Sequence, residues 1–174
     1  MAATEHAFAA PWGTALKAMS GIFTLMLLGI AWIGLRTEAD MGATWYASMV
    51  GMPLLILLIA LNYTVLGYRI TGDRLCVRRL GWTSQWNLEG LEAVAADTGA
   101  MVGSRRVFAN GGLYSFSGRF RNKHLGHYHA LATDPSRAVI LRWPNRTLVI
   151  TPDDPERFVR TLCELRGLEV RRPE

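Results

Sequence analysis

Ala47-Ser-Met-Val-Gly-Met-Pro-Leu-Leu-Ile-Leu-Leu-Ile-Ala-Leu-Asn-Tyr-Thr-Val-Leu66 decides the architecture of this chain. No charged side chain occurs in the 28 residues from Met41 to Tyr68, and Arg69 then opens a basic remainder. A helix crossing about 30 Å of hydrocarbon, at about 1.5 Å per residue, needs roughly 20 apolar residues. The alternative is a core helix of a soluble protein, which rarely runs this far without a polar face. The stretch therefore reads as a membrane span.

Working outward, Ala18–Leu35 is a second uncharged run, of 18 residues, between Lys17 and Arg36. It is longer than the usual core of a cleaved signal, about 7–15 residues, and neither a basic leader nor a small-x-small site accompanies it. It reads as a first span. Before it, the Ala-rich first 16 residues carry Pro11 and Gly13 as breakers and are expected to be a short mobile lead-in. Between the spans, Arg36-Thr-Glu-Ala-Asp-Met-Gly42 suits the polar turn of a helical hairpin. Basic residues near the span ends set orientation. Arg36 stands alone at the turn, whereas Lys17, Arg69, Arg74, Arg78 and Arg79 lie on the other side. Both termini and the C-terminal region are thus expected in the cytoplasm, at the inner (plasma) membrane. Ala47 and Gly51 form a small-x-x-x-small pair, with Ser20, Gly21 and Gly29 as close-approach surface on the other helix, so self-association is one further expectation. Pro53 removes a backbone donor and is expected to kink the second span.

The charge divides the 174 residues into two parts. Residues 1–67 form the lead-in and hairpin, with spans at about 18–35 and 47–66, and residues 68–174 form one soluble domain. From Arg69 onward there are 17 basic and 11 acidic side chains, and Lys123 is the single lysine among them. Basic charge beside a bilayer favours anionic headgroups and also fixes topology. Cys76 and Cys163 are isolated, which fits a reducing compartment and gives no metal or redox motif.

Beyond the second span the period becomes two. Tyr68–Leu80 predicts two strands around Gly72-Asp73, and Trp82, Ser84, Trp86 and Leu88 alternate with polar residues as a half-buried strand. Leu91–Asp97 is a weaker strand, and the Gly- and Arg-rich Thr98–Leu125 is expected to hold one strand around Tyr114–Arg121. His127–Thr133, Ala138–Trp143 and Arg146–Thr151 are strands, the last two apolar enough to lie inside a packed sheet. Asp134-Pro-Ser-Arg137 is a turn. A helix then begins at Asp153 or Asp154, has Pro155 and Glu156 in its first turn and closes at Gly167. Phe158, Val159, Leu162, Cys163 and Leu165 form its apolar stripe.

The predicted class is α+β, mainly β: two transmembrane helices, then about seven strands in a barrel capped by a C-terminal α-helix. From Tyr68 to Leu165 this pattern resembles bacterial pleckstrin-homology (PH) domains that follow membrane helices. The resemblance is carried by Tyr68-Arg-Ile-Thr-Gly-Asp-Arg-Leu, by Asn110-Gly-Gly with Ser117-Gly-Arg-Phe, and by Tyr128-His-Ala-Leu-Ala-Thr-Asp. Leu148-Val-Ile-Thr-Pro-Asp-Asp-Pro-Glu-Arg-Phe158 completes it. It implies a membrane-tethered PH-like barrel with a scaffolding or binding role. Arg74, Arg78 and Arg79 lack the basic spacing of the phosphoinositide-binding relatives, so that ligand is not implied.

Arg119, Arg121 and Lys123, at alternate positions, would share one face of a strand, and Arg105 and Arg106 lie nearby. Together they are the candidate ligand- or lipid-binding residues, because guanidinium groups bind phosphate bidentately. The alternative is a charged strand edge that discourages pairing. His124, His127 and His129 offer a partial zinc spacing without a fourth ligand, and a hydrogen-bonded strand surface explains them more simply. No cofactor, metal or nucleic-acid partner is expected, and no catalytic set is visible. The function expected is a membrane-anchored module, without enzymatic activity, that recruits a protein, peptide or anionic lipid. A structural subunit of a membrane complex is the first alternative. The second is a metal- or phosphate-handling enzyme using the His124/His127/His129 and Arg119/Arg121 region.

Overall fold

The computed structural model describes residues 5–37 and 42–168. Helix α1 is Thr14–Arg36 and helix α2 is Gly42–Asn62, both long and apolar enough to cross a membrane. The hairpin turn expected between them falls partly, at residues 38–41, outside the described residues. On α1 the buried positions are Leu16, Ser20, Leu27, Ala31 and Gly34, and on α2 Pro53, Leu57 and Ala60. Spacings of three and four put these on one seam per helix, and most other side chains point outward and are apolar. A core helix of a soluble domain would be enclosed; these are not. A Cβ on Gly34 would sit 2.7 Å from Met49 Cβ, so the helices approach closely at this glycine. Gly21 and Gly29, expected as close-approach surface, have nothing within 4 Å. Pro53 cannot donate to the ladder, and the turn ahead of it, Ala47–Gly51, is a wide π turn that makes room for its ring. Aromatic residues mark both ends of the hairpin: Trp32, Trp45 and Tyr46 towards the turn, and Trp12, Tyr63, Trp82 and Tyr114 towards the domain. Such girdles suit the two polar boundaries of a bilayer.

Leu27 and Leu57 share one cluster, so α1 overruns the end of α2 and its first turns lie against the domain. The lead-in expected to be mobile is instead a strand, β1 (Glu5–Ala9), antiparallel to β2 (Val65–Thr71). The first sheet has the order β1-β2-β3-β4, with β3 Arg74–Arg79 and β4 Thr83–Asn87. Gly72, at φ 54°, makes the predicted β2–β3 turn. Glu5 pairs with Arg69 across the β1–β2 edge. Phe8 turns inward against Phe158, with ring centroids 4.9 Å apart edge to face.

The second sheet has the order β5-β9-β10-β8-β7-β6. Its strands are β5 Ala93–Ala96, β6 Arg105–Gly111, β7 Phe116–Asn122, β8 Gly126–Ala132, β9 Val139–Trp143 and β10 Arg146–Ile150. As predicted, β9 and β10 are interior strands. β10 runs parallel to β8, and the other neighbours are antiparallel. The two sheets face each other over one core and remain open, so the PH-like fold is a sandwich of ten described strands rather than a closed barrel of about seven. A second, smaller core of Phe120, Tyr128, Ala130, Ala138 and Val149 lies on the other face of the larger sheet, with Ala100 packed onto it. The Tyr68 hydroxyl joins the sheets by donating to the Leu131 carbonyl at 2.6 Å and accepting Thr151 N–H at 3.1 Å.

Helix α3 (Pro155–Arg166) is capped by Asp154, whose carboxylate accepts the Arg157 N–H at 2.9 Å. It ends at Gly167 with φ 64°, where Leu168 N–H returns to the Cys163 carbonyl. Phe158, Val159, Leu162 and Cys163 are buried as predicted. Leu165 is not: at 45% exposed it lies off the buried stripe, because the helix meets the core through a narrower face than its apolar residues span.

Candidate functional site

A cavity of about 1120 Å³ opens between α2 and the β6–β7–β8 edge of the larger sheet. Its helix wall is Ile56, Ile59, Ala60 and Tyr63, which recur at helical spacing and so form one face. Val107, Phe108 and Leu113 add further apolar lining. Arg79, Arg106, Arg119 and His129 line it from the strands, and no described carboxylate lines the cavity.

The β6–β7 connection sets this geometry. Asn110 clamps it, donating to the Leu113 carbonyl at 2.7 Å and accepting the Leu113 N–H at 3.1 Å. Tyr114 follows with φ 62°, an uncommon conformation for a bulky side chain. Two contacts with α1 hold it there: its N–H goes to Ser20 Oγ at 2.9 Å, and its hydroxyl lies 2.7 Å from that of Thr24. Ser115 donates to the Tyr63 carbonyl at 3.0 Å, tying the loop to the end of α2. The loop is thus docked on both helices.

Arg79, at the end of β3, lies between Tyr63 and Trp82, its guanidinium 5.5 and 5.3 Å from their ring centroids. Its Nη1 donates to the Tyr63 carbonyl at 3.4 Å, while its Nε is buried without a hydrogen-bond partner among the described residues. Partial burial pulls the Arg79 pKa below its ordinary value, with Tyr63 and Tyr68 acting in the opposite sense. His129 rests against the Trp86 ring, with centroids 5.4 Å apart. Burial first, then the charges of Arg79 and Arg119, hold its pKa below the usual imidazole value.

Four of the five predicted basic residues come together on β6 and β7. Arg105 stands directly across from Arg121, and Arg119 is flanked by Phe108 and His129. Like charges facing each other across strands are destabilising. None of Arg79, Arg105, Arg106, Arg119 and Arg121 forms a salt bridge with a described carboxylate. The structure nevertheless divides the set. Arg106 and Arg119 line the cavity, whereas Arg105 and Arg121 lie at the strand ends away from the hairpin, and Lys123 stands in the turn beyond β7. His124 is in that turn and His127 is opposite Arg121. Among the described residues no three His, Cys, Asp or Glu side chains converge as a metal set. Sequence reasoning missed Arg79 and the helix wall as parts of this site. The periodicity of Ile56, Ile59 and Tyr63 was legible, but its meeting with strands some 50 residues later was not.

No curated protein and no solved structure matches the chain. The family model of the bacterial PH domain matches residues 66–165, from β2 to the last turn of α3. With more than half of its length matched, the chain belongs to the bacterial PH domain family.

Proposed function

We propose that this protein is a membrane-anchored binding module without enzymatic activity. Its PH domain is held at the cytoplasmic face by a spanning hairpin and takes an anionic, partly apolar ligand between α2 and β6–β8. One observation carries this reading: Arg79, Arg106 and Arg119 converge without a described carboxylate on a cavity whose other wall is an uncharged helix. Uncompensated guanidinium groups in a partly dry cleft attract anions and hold them through charge-assisted hydrogen bonds. Arg105, Arg121 and Lys123 add outlying positive charge that steers an anion toward the site. The tether keeps the domain at high effective concentration near the surface, so a weak site suffices.

Two measurements test this. Reporter fusions at residue 40 and at the C-terminus should report opposite sides of the membrane, and a common side overturns the hairpin. Dodecyl phosphate, which carries one tail and one phosphate, should raise the melting temperature of the delipidated full chain in a neutral detergent. The rise should vanish in Arg79→Gln/Arg106→Gln/Arg119→Gln. An unchanged melt of the wild-type chain overturns the anionic site.

A further inference from the structure

We propose that the resident ligand of this cavity is a single anionic phospholipid drawn sideways from the surrounding bilayer. One acyl chain lies along Ile56 and Ile59, and the phosphodiester lies among Arg79, Arg106 and Arg119. This rests on the anionic-site reading above and names its occupant.

Three independent features select a bilayer lipid over a soluble anion. The first is continuity. Ile56 and Ile59 are 42% and 49% exposed, and they belong both to the cavity wall and to the outward apolar band of α2. A chain leaving the hydrocarbon along that helix enters the cavity without crossing water. A soluble phosphate would leave this apolar wall, together with Phe108 at 85% exposed, uncovered.

The second is the ordering of polarity. The wall supplied by the last two turns of α2 is wholly uncharged, and every basic lining residue comes from the facing strands β3, β6 and β7, which also contribute Val107 and Phe108. An acyl chain followed by a phosphate has the same order. Tyr63 lies at the junction, between Ala60 on the helix and the guanidinium of Arg79. An amphipathic ring at headgroup depth fits that place.

The third is the state of Arg79. Its Nε is buried and unpartnered, and its guanidinium already packs against two rings. Guanidinium nitrogens that strand geometry and aromatic packing hold beside an uncharged cavity pair with a phosphate oxygen at little conformational cost. With no described carboxylate in the lining, the described site carries net positive charge. That favours a lipid with an anionic headgroup, such as phosphatidylglycerol, over zwitterionic phosphatidylcholine.

Native mass spectrometry of the delipidated full chain, released from neutral detergent, tests the assignment because no bilayer surface is then present. After incubation with phosphatidylglycerol or phosphatidylcholine in equal amounts, a single retained phosphatidylglycerol is expected. The preference should be about tenfold or more, the order of one charge-assisted contact. Arg79→Gln/Arg106→Gln/Arg119→Gln should abolish retention. Ile59→Trp, which fills the apolar end without touching the PH domain core, should also abolish it. Arg105→Gln/Arg121→Gln removes only steering charge outside the cavity, so it should slow loading and leave equilibrium retention in place. Equal retention of both lipids, or loss only in Arg105→Gln/Arg121→Gln, overturns the proposal. So does stabilisation by dodecyl phosphate with no phospholipid retained, an outcome that leaves the anionic site itself standing.

Discussion

Ser20 of α1 accepts the backbone N–H of Tyr114 at 2.9 Å, joining the first helix of the hairpin to the β6–β7 loop of the PH domain. The same hydroxyl donates to the Gly112 carbonyl at 3.3 Å, so one side chain serves both backbone groups flanking Leu113. Both contacts are buried. Helix and domain are therefore one packed unit here, and the left-handed Tyr114 is held by the helix beneath it.

Ser20→Ala should release that loop. It leaves a buried N–H and a buried carbonyl without their partner, at a cost of about 1–3 kcal/mol. Hydrogen exchange of the full chain in detergent should show faster exchange at residues 112–115, with β9 and β10 unchanged. Uniform exchange across the domain would show that the loop is held by other contacts.

Phe158→Ala should cost about 3–5 kcal/mol, because it removes a fully buried ring and leaves a cavity under β1. Phe8→Ala should follow it, since Phe8 packs edge-on against Phe158 from the other end of the sequence. Leu165→Ala, at an exposed position, should change stability by less than about 0.5 kcal/mol. Thermal melts should use the full chain, because cutting at Arg69 would remove β1 and the Tyr68 hydroxyl hub. Equal melts for Phe158→Ala and Leu165→Ala would contradict this core.

Tyr68 sets a stability limit at high pH. Burial is the main cause of its pKa being pushed up to about 12, against 10.0 for an ordinary tyrosine. Below pH 10 both folded and unfolded chains keep the proton, and this group adds no pH dependence to stability. Between about 10 and 12 the unfolded chain loses the proton while the folded chain retains it. Stability should then fall with rising pH, by up to about 1.4 kcal/mol per unit. Tyr68→Phe should start lower, having lost the bonds to Leu131 and Thr151, and should show a shallower decline in this window. Parallel wild-type and variant curves would remove Tyr68 from the alkaline transition.

Gly34 and Gly29 should respond unequally to alanine. At Gly34 the new Cβ meets the root of the Met49 side chain at 2.7 Å, so the helices must separate, at a cost of about 1–3 kcal/mol. At Gly29 nothing lies within 4 Å, and the change should be within about 0.5 kcal/mol. Detergent melts of the two variants decide it, and a destabilised Gly29→Ala would point to a partner helix at that face.

What the sequence determined by itself is what a few neighbouring residues decide. An uncharged run of span length has one stable environment, and Gly72-Asp73 between alternating segments permits few turns. Asp154, Pro155 and Gly167 delimit α3 through bonds made within its own first and last turns. The interior strands β9 and β10 were legible because burial on both faces leaves continuous apolar runs. Tertiary structure alone decided the rest. β1 is too short and too weakly patterned to be seen without β2, which pairs with it from some 60 residues away. β6 was hidden because it is an edge strand whose Arg105, Arg106, Val107 and Phe108 are all exposed, so no alternation marks it. Leu165 carries the helical period of the stripe, but packing against the core determined how much of that stripe is covered. The cavity needed three separate segments: an apolar helix face, the end of β3, and a hairpin docked by Ser20 and Tyr114. Local patterning determines which face a residue occupies, whereas the packing of distant segments determines what that face meets.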